Sequence, residues 1–150
     1  MANADSVSNL YFDSFGNARL ATVTATALNT AGNAAIAIPI LSGGLTAGLG
    51  TANSGGIIIR RITVMNPSGT VALGNVSITT SNDGNISNAV VANVVLASVS
   101  GTVKFQDLAI VGGNVAVSGF TTQALYVNVN TASGNENTVD IRVYGDVISF

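Results

Sequence analysis

Two runs in this chain alternate apolar and polar residues with a strict period of two. Between Gln123 and Asn130, Leu125, Val127 and Val129 fall on one face and Tyr126, Asn128 and Asn130 on the other. In the second run Val139, Ile141 and Val143 oppose Asp140, Arg142 and Tyr144. Side chains alternate faces in this way only along an extended backbone, so each run predicts a half-buried β-strand. The loop Thr131 to Asn137 between them contains Ser133, Gly134 and Asn135, and two alternating runs so joined predict an antiparallel hairpin. No convincing 3.6-residue apolar stripe competes with this pattern, which confines the chain to β architectures.

The other segments fit the same class. Gly56 to Met65 is nearly continuous apolar sequence broken by Arg60 and Arg61, and Asn66-Pro67-Ser68-Gly69 ends it with Pro set for position i+1 of a turn. Val76 to Thr80 is a shorter strand stopped by Ser81-Asn82-Asp83-Gly84-Asn85, where Asp-Gly favours positive φ and a reversal. Ala21 to Leu28 is β-prone. Ala34 to Leu41 alternates Ile36, Ile38 and Ile40 with small residues, and Pro39, lacking a donor N–H, places that strand at an edge or at its own end. Asn88 to Ser100 reads as two short strands, since its many Val residues outweigh the helix tolerance of Ala and Leu. Lys104 to Ala109 is one more strand.

About eight short strands at 8–12-residue spacing predict an antiparallel β-sandwich or jelly roll rather than a parallel α/β fold. With 150 residues the chain has room for one such domain, read here as residues 19–150 behind an extended N-terminal arm over residues 1–18. The arm differs in kind from the rest: Tyr11, Phe12 and Phe15 stand among Asn, Ser and Asp with no period-2 run. Free disordered tails are poor in aromatics, so these three side chains mark a segment that packs on its own domain or on a neighbour.

Composition removes most chemistry. There is no His, Cys or Trp, which excludes the usual zinc sites, thiol nucleophiles and Ser-His relays. Charged residues make up 8% with a net charge of -2, leaving no basic field for a nucleic acid. Mean hydropathy is +0.51, and Leu20 to Ile59 contains no charged side chain, but Asn, Pro and Gly-Gly interruptions leave no apolar run of about 18 residues, so no membrane span is expected. No basic n-region precedes Arg19, so no secretion signal is expected either.

The remaining motifs have bland readings. Gly48-Leu49-Gly50-Thr51-Ala52-Asn53 lacks the helix and acidic residue of a dinucleotide loop and reads as a flexible loop. Asp83-Gly84-Asn85 lacks the downstream carboxylate of a calcium loop and reads as a turn. Asp140 and Asp146 share a strand face about 20 Å apart, too far for paired carboxylate chemistry, and read as solvated charges. Lys104, the single lysine, has no Ser three positions before it. No catalytic residue, cofactor or metal ligand is therefore expected. Arg60 and Arg61 are more informative: consecutive strand residues point to opposite faces, so one must face inward or toward a partner, paired either to a carboxylate of this chain or to a neighbouring subunit.

Arg60-Arg61-Ile62-Thr63-Val64-Met65-Asn66-Pro67-Ser68-Gly69, then Val76 to Thr80, Leu125-Tyr126-Val127-Asn128-Val129 and Val139 to Val147 with its Val143-Tyr144-Gly145, together resemble the small decoration, or cement, proteins of tailed-phage capsids. The resemblance covers about Gly56 to Phe150; the first 55 residues match no such motif. It implies a sandwich or jelly-roll body, homotrimers on the capsid exterior of the virion, synthesis in the host cytoplasm, contact with the major capsid protein, and no catalytic residue. Tyr11, Phe12, Phe15, Arg60 and Arg61 are the expected interface residues. A receptor- or carbohydrate-binding β module of a phage fibre is the alternative, weakened by the absence of Trp; a pilus or surface-layer subunit and a small enzyme rank lower.

Overall fold

In the computed structural model, which describes residues 11–12, 18–32, 35–39, 55–111, 115–117 and 124–149, the alternating runs are strands of an all-β fold. Ten strands follow in order: β1 (Tyr11–Phe12), β2 (Ala18–Ala27), β3 (Ile36–Pro39), β4 (Gly55–Met65), β5 (Asn75–Thr79), β6 (Ala89–Val95), β7 (Phe105–Asp107), β8 (Val115–Val117), β9 (Ala124–Thr131) and β10 (Thr138–Ser149). Among the described residues the one helical element is a 3-10 turn at Ile86–Asn88, capped by the Asn85 side chain.

Two antiparallel sheets result. One has the order β1-β2-β10-β4-β7, with β8 also on β4; the other has the order β3-β9-β5-β6. Strands β7 and β8 lie one after the other along the same edge of β4, against Thr63–Met65 and Ile57–Ile59, so they are two halves of one interrupted edge strand. The pairing is nested: β2 with β10, β3 with β9, β4 with β7 and β8, β5 with β6. A long hairpin paired in this way and rolled so that β10 meets β4 and β9 meets β5 is the jelly-roll winding. Pro39 ends β3, an edge strand, where its missing N–H costs no ladder bond.

The core lies between the sheets. Leu20, Ile59, Ile62, Val64, Ile141 and Val143 come from one side and Ile38, Val76, Ile78, Val91, Leu125 and Val127 from the other, all buried. Leu125, Val127, Ile141 and Val143 are the inward residues of the two alternating runs, and each fully buried Leu, Ile or Val contributes about 1.5–3 kcal/mol. Leu96 and Val99 add to this core from beyond the end of β6.

Two expectations need correction. The runs 125–129 and 139–143 do not form a hairpin: β9 and β10 belong to opposite sheets, and residues 132–137 arch between them. Alternation reports which face is buried, not which strand is the neighbour. The arch is fastened to other loops instead, by Ser133 N donating to Leu28 O and by the Asn135 and Asn137 amides donating to Thr70 O. The stretch 88–100 holds one strand, β6, rather than two. After Val95 the chain turns, with Leu96 N bonded to Gly74 O and Val99 N to Leu96 O, so these residues plug the core end instead of extending a sheet.

Three non-glycine residues have positive φ: Ala25 (51°), Asn66 (49°) and Asn93 (48°). Ala25 and Asn93 sit where β2 and β6 each carry one extra residue against their partners, and Asn66 ends β4. Left-handed backbone suits Asn but costs alanine about 1–2 kcal/mol. Ala25→Gly is therefore expected to raise the unfolding free energy by about 0.5–1 kcal/mol, less than the full strain because glycine also loosens the unfolded chain. Urea titration of the two chains checks this.

Candidate functional site

Arg60 and Arg61 lie at a bulge. Tyr144 of β10 pairs with Arg61 and Gly145 with Ile59, so Arg60 is the extra residue opposite neither. The insertion resets the alternation: Ile59 and Ile62 are both buried while both arginines reach outward. Neither arginine faces inward for this reason, and both find the carboxylates of this chain that were one of the expected pairings. Arg60 Nε donates to Asp146 Oδ2 at 2.9 Å and Arg61 Nε to Asp107 Oδ1 at 2.7 Å. The Thr63 hydroxyl donates to the same Asp107 oxygen at 2.6 Å. Partly exposed pairs of this kind contribute about 0–1 kcal/mol each.

Of the other expected interface residues, Tyr11 and Phe12 form β1, paired with Arg19 and Ala18 of β2, so that piece of the arm joins the sheet edge. Phe15 lies outside the described residues, as does the loop 48–53. The cation that sequence reasoning passed over is Arg142. It stands in register between Thr22 and Thr63, its Nε is buried, and it has no hydrogen-bond partner.

Asp140 is more than a solvated charge. Its Oδ1 accepts from Ala25 N at 3.0 Å and its Oδ2 from Asn66 Nδ2 at 2.8 Å. One carboxylate on β10 thus ties down the left-handed residues of both neighbouring strands. Asp146, by contrast, does keep the role of an exposed paired charge.

Among the described residues four of the six exposed large apolar side chains lie at one end, with Ile86 and Val111 elsewhere. Leu73 (72% exposed) lies in the β4–β5 connection, Val95 (47%) ends β6, and Val103 (44%) and Phe105 (53%) lead into β7. Antiparallel order puts the end of β4, the start of β5, the end of β6 and the start of β7 together. Backbone bonds Val71 N to Val99 O and Asn66 N to Lys104 O, with Gln106 Nε2 on Val95 O, hold these loops side by side.

The outer face of the second sheet is an amide ladder. Asn130 Nδ2 lies within hydrogen-bond distance of Ser77 Oγ, Asn93 Oδ1 and Asn75 Oδ1, and Asn128 Nδ2 donates to Thr79 Oγ1. The Ser81–Asn85 turn curls over this face, so close that a Cβ on Gly84 (φ +69°) would come within 3.2 Å of Asn128 Oδ1. Turn and ladder enclose a groove of about 450 Å³ lined by Gly32, Asn82, Asp83, Asn93, Asn128 and Asn130. The Ser81 hydroxyl and the Asn85 N–H, both donating to Asp83, hold its carboxyl below the ordinary value. The sequence signalled the turn and the amide-bearing face separately; their meeting was not legible.

No protein-family model, curated protein or solved structure matches the chain.

Proposed function

We propose that the chain is a structural virion protein, a capsid decoration or cement protein that sits as a homotrimer on the outside of a phage head and bridges major capsid protein subunits. The observation that carries this reading is the apolar end formed by Leu73, Val95, Val103 and Phe105 on a jelly-roll body whose charges are few, with Arg60 and Arg61 paired to Asp146 and Asp107 within the chain. Jelly rolls serve many functions, so the fold alone argues little. A shell component works by contact area and many copies, and needs no titrating group. Large apolar side chains left half exposed on short, hydrogen-bonded turns are an ordered surface awaiting a partner. Completing the burial of each gives on the order of 1 kcal/mol, and three linked copies multiply the effect through effective concentration.

Heads assembled without the protein provide the test. The wild-type chain is expected to co-sediment with them and to stay bound in about 1 M salt, because attachment does not rest on a strong field. The double variant Leu73→Asp, Phe105→Asp should keep its β circular dichroism and lose attachment, and the arm variant Phe12→Ala, Phe15→Ala should be weakened likewise. Full occupancy by the Asp variant, or release of the wild type by salt alone, would reject the reading.

A further inference from the structure

We infer that the groove under the Ser81–Asn85 turn binds one unit of a neutral glycan. Its lining has hydrogen-bonding capacity that the fold does not use. Among the described residues, the Asn82 side chain has no partner, Asn93 Nδ2 donates to nothing, and Asn128 Oδ1, Asn130 Oδ1 and Asp83 Oδ2 accept nothing. That leaves two amide groups able to donate and four oxygens able to accept, converging on a space within the size range of small-molecule sites.

The ligand class follows from the mixture. Vicinal hydroxyls each donate and accept, and match a surface that alternates amide N–H with carbonyl and carboxylate oxygen. An anionic ligand finds no Arg or Lys among the described lining residues and meets the Asp83 carboxylate, held ionised by Ser81 and Asn85. An apolar ligand would strand every one of these polar groups. A calcium ion prefers six to eight oxygens with several carboxylates, and this groove has one. Among the described lining residues there is no aromatic ring, so recognition rests on hydrogen bonds.

The floor is rigid for a reason that serves the site. Asn130 ties Ser77 and Asn93 together across β5, and Ser77 Oγ accepts from Asn93 N at the left-handed bulge of β6. The amides are therefore positioned before any ligand arrives, which lowers the ordering cost of binding. Because several lining residues are exposed, the groove is open and suits one residue of a longer chain.

The test is titration of the isotope-labelled full chain, followed by amide NMR, with neutral trisaccharides of glucose, mannose, galactose and N-acetylglucosamine, and separately with sialyllactose and calcium chloride. At least one neutral trisaccharide should give saturable shifts at residues 82–84, 93 and 128–130. Asn82→Ala and Asn93→Gly, the second keeping the left-handed backbone, should each weaken it about tenfold. The Leu73→Asp, Phe105→Asp chain should bind it unchanged, since attachment and glycan binding use different surfaces. No saturation by any neutral trisaccharide up to about 50 mM, a response to calcium or sialyllactose alone, or binding indifferent to both groove substitutions would each overturn the inference.

Discussion

Gly145→Ala is expected to prevent folding. A Cβ at this position would land on the carbonyl oxygen of Ile58 and within 2.9 Å of Leu20 Cδ1. Gly145 pairs with Ile59 on one side, where the ladder resumes after a register shift, and with Ala18 on the other, so neither neighbour can retreat without opening its ladder. The obstruction is backbone rather than the end of a flexible side chain. Its relief would break the central strand of the larger sheet, a cost of about 4 kcal/mol or more against the 5–15 kcal/mol that stabilises an ordinary domain. The variant should accumulate as insoluble protein, and refolded material should lack a cooperative urea transition. A chain that unfolds cooperatively within about 1 kcal/mol of wild type would refute the role given to this glycine.

Removing the Asp140 carboxylate should be the next most damaging change. Asp140→Ala leaves Ala25 N and the Asn66 amide without their acceptor while both residues remain left-handed. Bonds to a charged acceptor contribute about 1.5–3 kcal/mol each when shielded and less when partly solvated, so a loss of about 2–3 kcal/mol is expected. At this chain length that lowers the melting temperature by about 4–12 °C. In the Asp140→Ala background Ala25→Gly should restore more stability than it adds to the wild-type chain, because glycine adopts the left-handed backbone without help. Additive effects of the two changes, or a melting temperature within about 2 °C of wild type for Asp140→Ala, would show that the carboxylate does not hold the bulge.

These two residues also show where sequence reading stops. The burial of Val139, Ile141 and Val143 was legible because alternation is a local record of which face meets the core. The partners of Asp140 are a backbone N–H at Ala25, 115 residues away, and an amide at Asn66, and neither is marked by residue type as a carboxylate ligand. Gly145 looked like any glycine, since the oxygen that forbids a side chain there is brought by β4. Arg60-Arg61 was correctly singled out as irregular, yet alternation could not supply the extra bulge residue that turns both outward. The groove repeats the lesson. Asp83-Gly84 announced a turn and Asn128 and Asn130 an outward face, but only the paired sheet brings them within reach of each other.

The nested pairing has a consequence for synthesis. As the chain leaves the ribosome, β5 and β6 can close first, since they are joined by a short turn, whereas β2 must wait for β10, its partner on the side away from β1. The segment made almost first is thus among the last to be covered. Loop-closure entropy across more than a hundred residues makes that step slow, in the range typical of β-sandwiches. Over the interval, Leu20 and Ala21 are exposed on an unpaired edge, the kind of surface to which chaperones and sister chains bind. The jelly roll therefore makes yield in the cell sensitive to the supply of β10, and a stop codon ahead of residue 138 would release a chain in which β2 and β4 have lost the strand that joins them.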